Sequence, residues 1–208
     1  AGFSNVGTME RWVLPINCDY KFRQHCKSPA LSRSLSRVVS FWFSLKWRIP
    51  NRLLSKVHAS KTDGIDYADL LAGYEEFNVI IGERNYAYLK WRFFGLPVFK
   101  TKDRKGDLKA HIIYSEVNGG VQIKDIFGAD KEHVEAALVS FIRWIHHQQL
   151  NFIEFNVLAG ESWRRLLKVK GFRLRGDGTK VLASSLNQRA TEAFIVGNWF
   201  LTDADKDI

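Results

Sequence analysis

The pattern that most constrains the fold lies in the middle of the chain. Residues 108–116 alternate apolar and polar side chains, which is typical of a strand with one buried face. Asn118, Gly119 and Gly120 follow, and a second apolar run begins at Val121. Because Asn and Gly tolerate the positive φ angles of a tight turn, this pattern predicts a β-hairpin of two antiparallel strands.

A long helix and a buried strand are predicted directly after this hairpin. Asp130 has a side chain suited to an N-cap, and the helix should run to about Gln149. Residues 152–158 are rich in apolar side chains and are predicted to form a buried strand, and a helix over 161–169 ends at Gly171. Shorter elements are predicted as helices near 67–74, 85–93 and 187–193 and as strands at 97–101, near 173 and at 180–186. This mixture predicts an α+β fold.

Positive charge is concentrated near the start of the chain. The 208 residues have a formal net charge of +9, and residues 20–62 contain ten basic residues and no acidic one. Apolar residues recur at helical spacing over 28–60, so this segment is predicted to be a basic amphipathic helix that Pro50 ends or kinks. The polar residues 61–64 predict a domain boundary.

Several common site types lack their sequence signatures. Cys18 and Cys26 are the only cysteines, and together with His25 they fall short of the four ligands of a structural zinc site. No metal site is therefore predicted. No Ser-His-Asp spacing or Walker loop is found, and no apolar run approaches the roughly eighteen residues that a membrane span requires.

The basic helix allows three interpretations. As an interdomain linker, it would pack its apolar stripe between two lobes and expose its charge. As a membrane-surface helix, residues 32–56 would place aromatic rings and Lys and Arg side chains at an anionic lipid interface. Nucleic acid is the least favoured partner, because no RNA- or DNA-binding motif accompanies the charge.

The order of elements resembles the GNAT (N-acetyltransferase) fold, in which a hairpin leads to the cofactor-binding helix. Residues 166–172 are similar to that family's late-helix ending, where a Gly-Phe pair turns the chain into the next strand. Residues 84–93 and 198–205 are similar to the ends of rear domains in two-lobed bacterial acyltransferases linked to polysaccharide or cell-envelope gene clusters. The resemblance implies a GNAT-like α+β fold, with a mixed, mainly antiparallel sheet flanked by helices and preceded by the basic linker helix.

A short internal echo supports a two-lobed parent protein. Gly2-Phe3 followed by Val13-Leu14 parallels Gly171-Phe172 followed by Val181-Leu182. The chain also opens with Ala1, so we expect it to be a fragment of a longer protein. The predicted division is a C-terminal strand remnant of a preceding GNAT-like lobe at 1–19, the basic linker helix region at 20–63 and a GNAT-like domain at 64–208.

The resemblance implies that acetyl-CoA binds at the start of the long helix, where the family has a Gln/Arg-x-x-Gly-x-Gly/Ala loop. The matching junction contains Phe127, Gly128 and Ala129, which are the candidate cofactor-binding residues. It has a single glycine and no Gln or Arg at the required spacing, and three acidic side chains around it would repel a pyrophosphate. We therefore expect the coenzyme to be bound mainly by an upstream lobe.

Two carboxylates are candidates for the general base that deprotonates an acceptor amine. Glu154 lies in the predicted strand 152–158, beside the cleft where GNAT strands separate, and Glu116 lies at the end of the hairpin. A cross-strand or edge carboxylate with no catalytic role is the alternative for both.

One predicted helix combines aromatic rings with guanidinium groups, which suits a carbohydrate or an anionic acceptor. The candidate acceptor-binding residues are Arg84, Tyr86, Trp91 and Arg92. The alternative is a helix that packs Trp91 into the core and leaves its arginines in solvent.

The resemblance implies a parent protein that transfers acetyl from acetyl-CoA to an amine or hydroxyl of a small molecule or an envelope sugar. The transfer would proceed by direct attack on the thioester. The alternative is a non-catalytic module that docks on a membrane surface or a partner protein through residues 32–56. The expected location is cytoplasmic, with peripheral contact at the inner membrane face.

Overall fold

Nine strands of the described chain form a single sheet. The computed structural model describes residues 3–17, 28, 34, 35, 38, 58–62, 86–103, 105–183 and 199–205. The strands are β1 (Ser4–Pro15), β2 (His58–Thr62), β3 (Val98–Lys102), β4 (Leu108–Val117), β5 (Gly120–Gly128), β6 (Phe152–Leu158), β7 (Arg173–Leu174), β8 (Thr179–Ala183) and β9 (Leu201–Thr202). The helices are α1 (Tyr86–Arg92), α2 (Lys131–His147) and α3 (Glu161–Lys170), and a 3₁₀ turn spans Asp203–Asp205.

The sheet is mainly antiparallel, as the sequence predicts. Its strand order is β2-β3-β4-β5-β6-β1-β7, with β8 paired to β1 and β9 paired to β6. Among the strands of the described ranges, β5 and β6 are the parallel pair, and the other pairs are antiparallel. A parallel pair requires a crossover, and α2 supplies it between β5 and β6.

The predicted hairpin is confirmed as β4 and β5. Asn118 and Gly119 have φ angles of 46° and 77°, which are the positive values that a two-residue hairpin turn requires. A Cβ atom at Gly120 would lie 2.7 Å from the carbonyl oxygen of Phe152. The turn therefore lies directly against the start of β6, and only glycine fits there.

The predicted long helix is confirmed as α2. Asp130 is its N-cap, and the carboxylate accepts a hydrogen bond from the peptide nitrogen of His133 at 2.8 Å. The predicted apolar face is buried against the sheet and consists of Val134, Ala137, Leu138, Phe141, Ile142 and Ile145. Removal of this apolar surface from water is the main force that holds α2 on the sheet.

A second, smaller apolar cluster covers the opposite face of the sheet. In it, Leu89 and Phe93 from α1 and the turn that follows pack against Val98 and Ile113. Ile112 belongs to the α2 cluster, and successive strand residues point to opposite faces. Helices therefore flank the sheet on both faces, as predicted.

Residues 58–62 lie in the sheet, although the sequence predicts the end of a helix and a domain boundary there. The helix predicted over 28–60 is helical at Ser34, Leu35 and Val38, but its last residues belong to β2. His58–Thr62 pairs with β3 over its whole length, so the predicted boundary at 61–64 begins inside a strand. The remaining residues of that predicted helix, together with helices predicted near 67–74 and 187–193, lie outside the described residues.

The predicted remnant at 1–19 is also built into this sheet. Ser4–Pro15 pairs with β6 on one side and with β7 and β8 on the other. The division between 1–19 and 64–208 therefore does not separate two sheets, because the backbone hydrogen bonds of β1 are made with the later segment. The preceding lobe itself stays a prediction.

The end of α3 follows the predicted pattern. Gly171 is its C-cap with a φ angle of 98°, and the peptide nitrogen of Phe172 donates to the carbonyl oxygen of Leu167. Within the described part of the chain, none of the helices has both the length and the apolar character that crossing a membrane requires.

Candidate functional site

The parallel strands β5 and β6 separate after three paired residues. Their register joins Val121 to Ile153, Gln122 to Glu154 and Ile123 to Phe155. Beyond Ile123 the two strands diverge, and a gap opens between their carboxyl ends. Gaps of this kind in a mixed sheet are places where side chains of both strands can reach a common ligand.

The end of the described chain occupies this gap. β9 pairs with the last two residues of β6, joining Val157 to Thr202 and Leu158 to Leu201. β1 already pairs along the other edge of β6, so β9 must lie on the edge that faces β5. The segment Leu201–Asp205 therefore closes the sheet where β5 and β6 have separated.

A buried hydrogen bond joins this segment to β5. The hydroxyl of Thr202 donates to a carboxylate oxygen of Asp125 at 2.9 Å, and both residues have no exposed surface. The peptide nitrogen of Thr202 donates to the carboxylate of Asp205 at 2.8 Å. Buried polar groups require such partners, because an unsatisfied one costs about 1–3 kcal/mol.

Asp203 is the centre of a polar network on the face that α1 partly covers. Its carboxylate accepts from the side-chain amide of Gln122 at 2.9 Å and from that of Asn156 at 3.3 Å. The ammonium of Lys124 lies 3.4 Å from the same carboxylate. Arg92 donates to the carbonyl oxygen of Asp203 at 3.3 Å. Asp203 is 5% exposed, so its negative charge is compensated by these donors instead of by water.

Glu154 is held next to this network by two partners. Arg11 donates to one carboxylate oxygen at 2.6 Å, and the side-chain amide of Gln122 approaches the other at 3.4 Å. The hydrogen bond and the negative charge of Glu154 raise the pKa of Arg11 above its ordinary value. Both oxygens of this candidate base are therefore engaged.

A cavity of about 280 Å³ lies between α1, β5 and the end of the described chain. Its lining combines a guanidinium, an ammonium, an amide and a carboxylate with two apolar side chains. The lining residues are Arg92, Phe93, Leu96, Gln122, Lys124 and Asp203. Convergent polar groups beside an apolar wall are typical of small-ligand sites.

The junction of β5 and α2 has a different character. The peptide nitrogen of Ala129 donates to the carbonyl oxygen of Lys109 at 2.8 Å. A Cβ atom at Gly128 would lie 2.7 Å from the Cβ atom of Ala110 and 2.8 Å from a methyl group of Val134. The space beside this glycine is thus filled by the sheet and by the helix.

The carboxylate of Asp130 lies at the N-terminus of α2, which is the positive end of the helix dipole. Its carboxylate accepts from the peptide nitrogen of His133 at 2.8 Å and contacts the ring of the same residue at 2.6 Å. Burial favours the neutral form, but these hydrogen bonds and the charge of His133 outweigh it and hold the pKa of Asp130 below its ordinary value. An anionic side chain of the protein therefore already occupies this helix end.

The predicted acceptor-binding residues are placed differently from one another. Arg92 lines the cavity, whereas Trp91 is 72% exposed and contacts Tyr88. The alternative interpretation, in which Trp91 packs into the core, is wrong. Tyr86 begins α1, and Arg84 lies outside the described residues.

The two predicted bases do not lie at one site. Glu154 adjoins the polar network, but Glu116 is exposed on β4, where it pairs with Val121. Neither lines the cavity. Within the described ranges, no group of three or more His, Cys, Asp or Glu side chains is arranged to hold a metal ion.

Three members of the network, Gln122, Lys124 and Asn156, were not predicted from the sequence. Gln122 and Lys124 alternate along β5, and Asn156 follows Glu154 by two residues on β6, so each pair shares one face of the sheet. This alternation was a usable signal. The approach of Asp203 had no local signal, because it depends on the pairing of β9 with β6.

No protein-family model and no curated protein matches the sequence. Among solved structures, L-PGS from Bacillus licheniformis is similar to 74% of this chain, with 14% identity and a TM-score of 0.41. A conserved protein from Enterococcus faecalis V583, described as a probable N-acyltransferase, is similar over 87% of this chain, with 10% identity and a TM-score of 0.52. A functionally unknown conserved protein from Staphylococcus epidermidis is similar over 89%, with 8% identity and a TM-score of 0.52.

These likenesses concern the fold, and the chain spans 45%, 40% and 64% of the three proteins' respective lengths. The Enterococcus and Staphylococcus structures share its overall arrangement of sheet and helices. The chain therefore has a mixed α/β fold like that of these two structures, in which a mostly antiparallel sheet is flanked by helices.

Proposed function

We propose that the chain is the rear part of a two-lobed GNAT-type acyltransferase. The parent protein transfers acetyl from acetyl-CoA to an amine or hydroxyl of a small molecule or an envelope sugar. The observation that carries the proposal is the separation of β5 and β6 after three parallel pairs, in a sheet that is otherwise antiparallel. The resemblance to GNAT proteins leads us to expect a strand separation at this place.

In this proposal the described lobe does not hold the coenzyme, and the β5–α2 junction supplies the first argument. A pyrophosphate requires peptide N–H groups and close approach to the backbone at a helix start. Here Lys109 accepts from the peptide nitrogen of Ala129, and Asp130 accepts from that of His133. The space next to Gly128 is filled by Ala110 and Val134.

The end of the described chain supplies the second argument. Leu201 and Thr202 pair with the free edge of β6, and the carboxylate of Asp203 accepts hydrogen bonds from the polar side chains beyond it. An acyl thioester that entered between β5 and β6 would have to displace this segment and break the buried bond from Thr202 to Asp125. Phe127, Gly128 and Ala129 are therefore assigned a packing role.

The lobe then contributes to the acceptor side of the reaction. The cavity beside Arg92 and Lys124 is the site we assign to the acceptor, and the coenzyme is assigned to an upstream lobe. The acceptor attacks the thioester directly, without a covalent enzyme intermediate. Glu154 stays a candidate base, but its bonds to Arg11 and Gln122 favour a positioning role for it.

Calorimetry with acetyl-CoA tests the assignment of the coenzyme. The chain of 208 residues should give no saturable heat, whereas the parent protein with its upstream residues should bind acetyl-CoA. Micromolar binding to the short chain would contradict our account of the junction.

Acyl transfer itself is tested on the parent protein. Release of the free thiol of coenzyme A should depend on an added amine or hydroxyl acceptor, and mass spectrometry of that acceptor should show an added acetyl group. A parent protein that binds no acetyl-CoA and releases no thiol with any acceptor would overturn the proposal.

The second candidate is a non-catalytic module that docks on an anionic membrane surface through residues 32–56. The excess of basic residues over 20–62 favours it. Co-sedimentation with vesicles of phosphatidylcholine and phosphatidylglycerol tests it, with pure phosphatidylcholine vesicles as the control. The idea fails if the protein stays in the supernatant with both.

A further inference from the structure

The cavity beside α1 has a composition that fits one kind of ligand. Arg92 and Lys124 provide two cations, Asp203 provides a carboxylate, and Phe93 and Leu96 provide an apolar wall. We infer that this cavity binds a small monocarboxylate, with the carboxylate at Lys124 and Arg92 and a short apolar body against Phe93 and Leu96.

The formal charges of the residues that line the cavity favour a ligand with one negative charge. The six lining residues together have a formal charge of +1, which favours a ligand with a single negative charge. A phosphate monoester has a charge of about −1.5 to −2 near pH 7 and would leave the cavity with excess negative charge. Glu154 lies beside Gln122, but its charge is compensated by Arg11 at 2.6 Å.

Lys124 has a donor to offer to such a ligand. Its ammonium has three N–H donors, of which one points to Gln122 at 2.6 Å and one to Asp203 at 3.4 Å. The third has no acceptor among the residues that the structure describes. The side chain of Lys124 is 25% exposed, so a ligand can reach it from solvent.

Arg92 provides the geometric complement. The guanidinium is a planar group with five N–H donors, and it binds carboxylates through two parallel hydrogen bonds. One of its terminal nitrogens donates to the carbonyl oxygen of Asp203 at 3.3 Å, so the guanidinium is held in the cavity wall by a second lining residue.

The size of the cavity limits the ligand further. A volume of about 280 Å³ lies just below the range of ligand pockets, which is roughly 300–1,000 Å³. A nucleotide or a whole coenzyme is too large for it. The site therefore fits a small organic acid. The further step of naming such an acid, one that also has an amine or hydroxyl, as the acyl acceptor rests on the proposed function, whereas the binding does not.

Fluorine NMR with 4-fluorophenylacetate tests the inference on the chain as it stands. The ¹⁹F line should broaden and shift in a saturable way when protein is added. The neutral isostere 4-fluorophenylacetamide should bind at least about tenfold more weakly, because it cannot pair with the cations. Equal binding of acid and amide, or no saturable change with the acid, would overturn the site. Tighter binding of 4-fluorophenyl phosphate would overturn the preference for a monoanion.

Variants locate the binding within the protein. Lys124→Gln should weaken the acid about tenfold or more, whereas Lys124→Arg should retain it and Lys105→Gln, on an exposed turn, should not change it. Leu96→Phe fills the apolar end without any change of charge and should also weaken the acid. Circular dichroism melting of each variant checks that it is folded. Binding that neither Lys124→Gln nor Leu96→Phe alters would place the ligand elsewhere and refute the assignment.

This experiment separates the inference from the proposed function, because it requires no acyl donor. Saturable binding of the acid together with absent acetyl transfer would refute the transferase and leave the site in place. Acetyl transfer by the parent protein that the fluorinated acid does not inhibit, together with absent binding, would refute the site alone.

Discussion

Thr202 and Asp125 face each other across the gap between β5 and β6, and a 2.9 Å hydrogen bond joins them in a place without solvent. The bond connects the last strand of the described chain with the strand that leads to α2. The two residues are 77 positions apart in the sequence, so the contact depends on the assembled sheet. Single substitutions at these residues can therefore measure how much the contacts that close the gap contribute to stability.

Thr202→Val removes this hydrogen bond at nearly constant side-chain volume. Because the Asp125 carboxylate loses a buried donor, we expect the free energy of unfolding to fall by roughly 1–3 kcal/mol in urea titration. Thr179→Val on the exposed β8 is the matched control and should change it by less than about 0.5 kcal/mol. Equal effects of the two substitutions would mean that the bond contributes nothing.

Asp203→Asn places an amide NH₂ where Gln122, Asn156 and Lys124 all present donors. The end segment should therefore open more often, and amide hydrogen exchange over residues 201–205 should become about tenfold faster or more. Asp107→Asn on an exposed turn is the control, with exchange over the same residues unchanged. Protection in this segment that survives Asp203→Asn would show that the backbone pairing of β9 suffices.

Local signals account for the elements that the sequence predicts correctly. The hairpin follows from the positive φ angles of Asn118 and Gly119, and the start of α2 follows from the cap at Asp130. Both features arise within a few residues of the chain. The segment His58–Thr62 is different, because it gains its strand conformation only by pairing with β3.

The candidate site was less predictable for the same reason. Alternation along β5 places Gln122 and Lys124 on one face, but no local pattern shows that Asp203 returns to them. The position of β1 between β6 and β7 likewise depends on contacts distant in sequence. Propensity and periodicity predict single helices and strands. This site, however, lies where α1, β5 and the end of the described chain meet.

Asp130 makes the stability dependent on pH in a defined window. In the folded protein the pKa of Asp130 is below its ordinary value. The free energy that ionised Asp130 contributes to folding is therefore fully present above the ordinary Asp pKa of about 4, and it is lost as the pH falls through the lowered pKa. Asn is an equally good N-cap without a titration. The stability difference between the native chain and Asp130→Asn should thus be present at pH 7 and shrink in strongly acidic buffer. Paired urea titrations measure it.

Thr179→Val, which changes an exposed side chain without an ionisable group, is the control for this pH dependence. Its difference from the native chain should not change between the two buffers. A constant difference for Asp130→Asn as well would contradict the role of the His133 hydrogen bonds.

Gly128→Ala distinguishes a packing glycine from a phosphate-binding one. The new methyl group would meet Ala110, Val134 and the carbonyl oxygen of Lys109 at 2.7–2.9 Å, so the sheet and α2 must move apart. We expect a loss of about 1–3 kcal/mol in the free energy of unfolding, measured without any coenzyme present. Ala110→Gly removes one of the three contacts, because residues 110 and 128 are directly paired across β4 and β5. The double variant Ala110→Gly/Gly128→Ala should therefore be more stable than the sum of the single effects predicts, by about 0.5 kcal/mol or more. Strict additivity, or a Gly128→Ala protein as stable as the native chain, would show that the space beside Gly128 is open and would reopen this junction as a site for the coenzyme.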